Sequence, residues 1–134
     1  MRAGLMLLAL LALLLPLRGL TSGRSAPASS PETASAPRSR VHLTITSTSI
    51  PFRFTISHLG RVVWKDESNE GSRSKDLELV FPREGIDLLV EATWPMEKLT
   101  AIRLEVTRGE GAPIVQTLWG TARVDDVITF VPAP

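Results

Sequence analysis

Val41-His42-Leu43-Thr44-Ile45-Thr46 and, after a short polar break, Ile50-Pro51-Phe52-Arg53-Phe54-Thr55-Ile56-Ser57 alternate apolar with polar side chains along their length. A period of two puts successive side chains on opposite faces of an extended chain, so both stretches predict half-buried β-strands. His58-Leu59-Gly60 then supplies a tight turn, with Gly where a positive φ is easiest, and Val62 and Trp64 form the inward side of the returning strand. The polar, glycine-containing residues 66–76 read as a loop.

Beyond it, Leu77, Leu79 and Phe81 alternate with Glu78 and Val80, Pro82-Arg83-Glu84-Gly85 turns the chain, and Ile86, Leu88, Val90 and Ala92 alternate again. Pro95 ends that strand, with room for one short helical turn over residues 95–98. Ile102, Leu104 and Val106 form a further inward row, and Arg108-Gly109-Glu110-Gly111 is a hairpin turn. Residues 114–119 and 127–131 give the last strands, with Gly120 and Asp125-Asp126 as punctuation. Eight candidate strands at this spacing, with no helical period between them, predict an all-β, antiparallel two-sheet sandwich or a barrel.

In strand number and hairpin spacing, residues 41–131 resemble an immunoglobulin-like or fibronectin-type sandwich. The Cys…Trp…Cys pattern of antibody domains is missing, and no Tyr exists for a tyrosine corner. The expected fold is therefore an immunoglobulin-like sandwich of seven or eight strands without a disulfide, resting on its apolar core. Phe52, Phe54, Trp64, Phe81, Leu88, Val90, Ile102 and Leu104 are the expected core.

The 134 residues include 15 Lys+Arg, 14 Asp+Glu, two His and no Cys or Tyr, for a formal net charge of +1. Without cysteine there is no disulfide, thiolate nucleophile, iron–sulfur cluster or Cys-based zinc site. The charge is unevenly spread: residues 41–134 hold ten cations and 13 anions, a net −3. An acidic domain is a poor match for a phosphate backbone, so no nucleic-acid partner is expected.

Ahead of the sandwich, Arg2 precedes a leucine-rich run over residues 5–17 that Pro16 and Arg18 close. The run is shorter than the roughly 20 residues a spanning helix needs. A basic start, a short apolar block and a small-residue exit predict a secretory signal peptide over residues 1–23, cut after Gly23 or after Ala28. A lipid anchor would need a cysteine, and the glutamate of a type IV pilin leader is replaced by Ala9. Residues 24–40, rich in Ser, Ala and Pro, read as a disordered linker, leaving 41–134 as the folded domain. The absence of cysteine in a small exported domain favours a bacterial envelope.

Candidate chemistry is sparse. Ser57 and His58 are strand neighbours and so face apart, while His42 stands on a polar parity. Asp66-Glu67-Ser68-Asn69-Glu70-Gly71 resembles the start of a calcium loop, but its twelfth position is Leu77. Asp125-Asp126 reads as a turn capping its own backbone. Trp94 before Pro95 and Trp119 before Gly120 are the candidate contacts for a partner or ligand, since indoles at strand ends anchor interfaces. No catalytic, cofactor-binding or metal-binding residues are expected.

The expected function is that of an exported, non-catalytic binding or scaffolding module meeting an unidentified envelope protein through a sheet edge or loops. One alternative is a membrane-anchored domain whose leader stays uncut. The other is a carbohydrate-binding or hydrolytic protein using an indole with Glu91, Asp125 or Asp126.

Overall fold

The structure, a computed structural model, describes residues 37–134. The leader and most of the linker lie outside these residues. Eight strands follow in order: β1 (Arg38–Ser47), β2 (Phe52–His58), β3 (Arg61–Ser68), β4 (Ser72–Val80), β5 (Ile86–Thr93), β6 (Thr100–Arg108), β7 (Ile114–Gly120) and β8 (Arg123–Phe130). They form two antiparallel sheets of four, sheet A in the order β4-β1-β6-β7 and sheet B in the order β3-β2-β5-β8.

Each half of the chain contributes two strands to each sheet. The β2–β3 hairpin lies in sheet B while β1 and β4 pair in sheet A, and the second half reverses this, with β6–β7 in A and β5 beside β8 in B. The layered sandwich is shared with immunoglobulin-like domains. The strand order is not, because β1 and β2 fall in opposite sheets, whereas the first two strands of an immunoglobulin domain are neighbours.

Between the sheets, Val41, Leu43 and Ile45 of β1 and Ile102, Leu104 and Val106 of β6 meet Phe52, Phe54 and Ile56 of β2 and the inward row of β5, all buried. Phe54 stands edge-on to Trp64 at 4.7 Å between centroids, a favoured aromatic geometry. All eight expected core residues are buried. A fully buried side chain of this size contributes about 1.5–3 kcal/mol, which is what a domain without cross-links must rely on.

Several expectations change. Residues 66–76 are no loop: β3 runs to Ser68 and β4 begins at Ser72, pairing with β1 from Arg38↔Val80 to Thr46↔Ser72. Both are sheet edges, where an inward position can reach solvent and need not be apolar. Asp66 and Arg73 occupy such positions and pair across the gap between the sheets at 2.8 Å. Asp125-Asp126 is likewise strand rather than turn, within β8, whose backbone is held by β5 whatever its side chains.

A register shift between Ile56 and Ser57 inserts Val63 as a bulge. Val62 is therefore exposed, not inward, and Ser57 is buried. Ile50 is exposed because β2 starts at Phe52 and Ile50-Pro51 belongs to the preceding loop. Residues 95–98 make no helical turn: the chain bends at Pro95 and Met96, with the Lys98 N–H donating to the Met96 carbonyl at 2.8 Å. β1 begins at Arg38, inside the expected linker, where Arg38, Ser39 and Arg40 pair with β4.

Candidate functional site

Connections 48–51, 69–71, 94–99 and 121–122 gather at one end of the sandwich, opposite the end where β1 begins. Their roots are tied down. Ser47 N–H donates to the Gly71 carbonyl at 2.8 Å and Trp94 N–H to the Ala122 carbonyl at 3.3 Å. Thr48 exchanges bonds with Ala101 in both directions. The loop after β5 curls around its own indole, Trp94 Nε1–H donating to the Lys98 carbonyl at 3.2 Å.

Two of these loops, 48–51 and 94–99, expose apolar side chains among polar ones such as Glu97 and Lys98. Ile50, Met96 and Leu99 are all exposed. Ile50 and Met96, together with Pro51, Pro95 and the edge of Trp94, line a groove of about 330 Å³. Exposed apolar side chains held on fixed loops are a recurring sign of an interaction surface.

The two candidate indoles have opposite fates. Trp94 is 6% exposed and Trp119 is 67% exposed. Register decides this: Ile102↔Leu118 turns Leu118 inward, so Trp119, opposite Ala101, points outward from sheet A. Ile114, Gln116, Leu118 and Gly120 share the inward parity of β7, and Val115, Thr117 and Trp119 the outward one. Trp94, though buried, is among the residues that line the groove.

The ionisable groups are scattered and locally paired. His42 Nδ1 donates to Asp76 at 2.7 Å on the outer face of sheet A, and this bond holds the Asp76 carboxyl below its ordinary range. His58 Nδ1 donates to the Asp87 carbonyl at 3.0 Å in sheet B. The two imidazoles do not converge. Asp66 is likewise held low, first by its hydrogen bond from Arg73 and then by the Glu67 N–H. Arg53 pairs with Glu67 at 2.9 Å, so the acidic start of the calcium-like stretch is committed to arginines.

Glu91 and Asp125 lie opposite one another on the outer face of sheet B, whereas Trp119 is on the outer face of sheet A. The sheets, about 10 Å apart in such packings, separate that indole from both carboxylates. Among the described residues no group of three or more His, Cys, Asp or Glu could hold a metal ion.

No family model matches the chain, and neither do any curated protein or solved structure.

Alternation places Ile50 inside, and nothing in the local pattern marks Met96 or Leu99 as exposed loop residues. The only trace of the loop end there is the pair Ile50-Pro51 and Pro95-Met96, in which proline stops a strand beside an apolar residue.

Proposed function

We propose that this chain is an exported, non-catalytic binding module of the cell envelope that receives a protein partner on its loop end. The supporting observation is the exposed trio Ile50, Met96 and Leu99, carried on loops whose roots are hydrogen-bonded to the framework. Burying one such side chain completely contributes about 1.5–3 kcal/mol, and a preorganised loop spends little of that on ordering. β1 begins at Arg38, at the opposite end of the sandwich from these loops.

The test is a photo-reactive amino acid at Met96 of the full chain in its own host, with the same group at Thr55 on the outer face of sheet B as control. A discrete adduct at residue 96 and none at 55 supports the reading. No site-dependent adduct refutes it. The mass of the recovered chain reports whether the leader is cut after Gly23 or Ala28 or is retained as an anchor.

A further inference from the structure

We propose that β7 pairs antiparallel with β7 of a second copy of this chain, fusing two sheets A into one continuous eight-stranded sheet. This goes beyond the loop-end reading and rests on different residues.

Among the described residues the sandwich has four edge strands, β3, β4, β7 and β8. Solitary domains blunt such edges with charge, especially charge on inward-pointing positions, because an open row of N–H and C=O groups templates another strand. Three of the four follow that rule, with Asp66 on β3, Arg73 on β4 and Asp126 on β8 all at inward parity. β7 breaks it. Its seven residues, Ile114-Val115-Gln116-Thr117-Leu118-Trp119-Gly120, contain no ionisable group and no proline, and its outward side presents Val115, Thr117 and the exposed indole.

The occupant follows from charge and register. The folded residues 38–134, which include Arg38 and Arg40 of β1, hold 12 cations and 13 anions, so repulsion between two copies is local to edges where like charges come to face each other. An uncharged edge escapes this. Pairing β4 with itself about its midpoint, by contrast, would set Asp76 against Asp76.

For β7, the register that uses all seven residues is centred on Thr117. It sets Val115 opposite Trp119 of the second copy, twice by symmetry, and Thr117 opposite Thr117. An aromatic against a β-branched side chain is a favourable cross-strand pair, and two such pairs would cover the indole that the single copy leaves in water. The same register matches inward parity to inward parity, placing Gln116 beside Leu118 of the second copy, so the cores of both sandwiches stay on one side. A shift by two residues keeps the faces but loses paired residues and the Val115–Trp119 contacts.

The chain has no cysteine, which makes Thr117→Cys a clean reporter. Directly opposite residues in an antiparallel pair have Cα atoms about 4.5–5.5 Å apart, inside the roughly 4.4–6.8 Å that a disulfide spans. In the full chain under oxidation, T117C should give a cross-linked species of twice the mass, while Ser74→Cys on β4 should not. Sedimentation of the wild-type chain should show the dimer mass, T117K should show the monomer mass, and mixing T117K with T117E should restore the doubled mass.

A wild-type chain that is monomeric at tens of micromolar, T117C cross-linked to a different protein, or a dimer indifferent to T117K would each overturn the proposal. If T117K fails to fold, the cross-link decides alone. Loop-end adducts at residue 96 should persist in T117K, so failure of self-pairing and failure of the binding reading give different results.

Discussion

Gly85 closes the turn between β4 and β5 under two constraints that an added methyl group would violate together. Its φ is +115°, and a Cβ built there would lie 2.7 Å from the Phe130 carbonyl oxygen and 3.2 Å from Val131 Cγ2. The carbonyl cannot retreat cheaply, because Phe130 is paired with Ile86 in the β5–β8 ladder and its side chain is fully buried.

For Gly85→Ala, the disfavoured backbone costs about 1–3 kcal/mol. Overpacking against the carbonyl adds about 1–3 kcal/mol. Loss of chain entropy in the unfolded state returns about 0.4–1 kcal/mol. The sum centres on about 3 kcal/mol. At roughly 4–8 °C per kcal/mol for a domain of this size, Tm should fall by about 12–24 °C.

Gly60→Ala is the matched control. Its φ is +74° with nothing within 4 Å of the added carbon, so only the backbone term applies and the loss is about 1 kcal/mol or less. Urea unfolding of wild type, G85A and G60A, with the slope m checked for constancy, measures both. Equal losses in the two variants would mean that the Phe130 carbonyl contact contributes nothing, and the reasoning from close approach would be wrong.

Three further outcomes are expected. Leu59, 86% exposed, sits with φ +49° beside Gly60 in the β2–β3 turn, a conformation leucine resists by about 1–2 kcal/mol, so Leu59→Asn should raise the urea midpoint, and an unchanged midpoint would count against that turn geometry. Asp66 and Asp76 are held below their ordinary value of 3.8, so their pairings stabilise the fold above that value and the benefit is lost as acidification carries the pH through the lowered ones; Asp66→Asn should flatten the acid limb of the stability curve, and an unaltered limb contradicts the Arg73 pairing. In T117K, where β7 is left unpaired, iodide should quench the indole fluorescence of Trp119 and spare Trp64 and Trp94, so adding Trp119→Phe should abolish most of the quenching, while quenching that survives this substitution would place another indole at the surface.

Where a strand lies between two neighbours, its sequence announced it. β1, β2, β5 and β6 are the central strands, and each carries an unbroken inward row, from Val41-Leu43-Ile45 to Ile102-Leu104-Val106, because every inward position there contacts the opposite sheet. The edge strands were harder to read. Arg73 and Lys75 interrupt the inward row of β4, and Asp126 that of β8, since at the rim an inward side chain still reaches water and alternation is no longer enforced. The candidate contacts divided the same way, with both indoles at strand ends but only Trp119 turned outward.

By itself, the sequence determined the extended alternating chain, the absence of cross-links and the identity of the core, because burial selects side chains one position at a time. Strand partners, the crossing of β1 and β2 into opposite sheets, the ion pair closing one flank and the apolar loop end were decided only by the tertiary structure. Backbone hydrogen bonding is indifferent to side-chain type. Which edge finds which neighbour is therefore fixed by the packing of the whole sandwich and not by any local stretch.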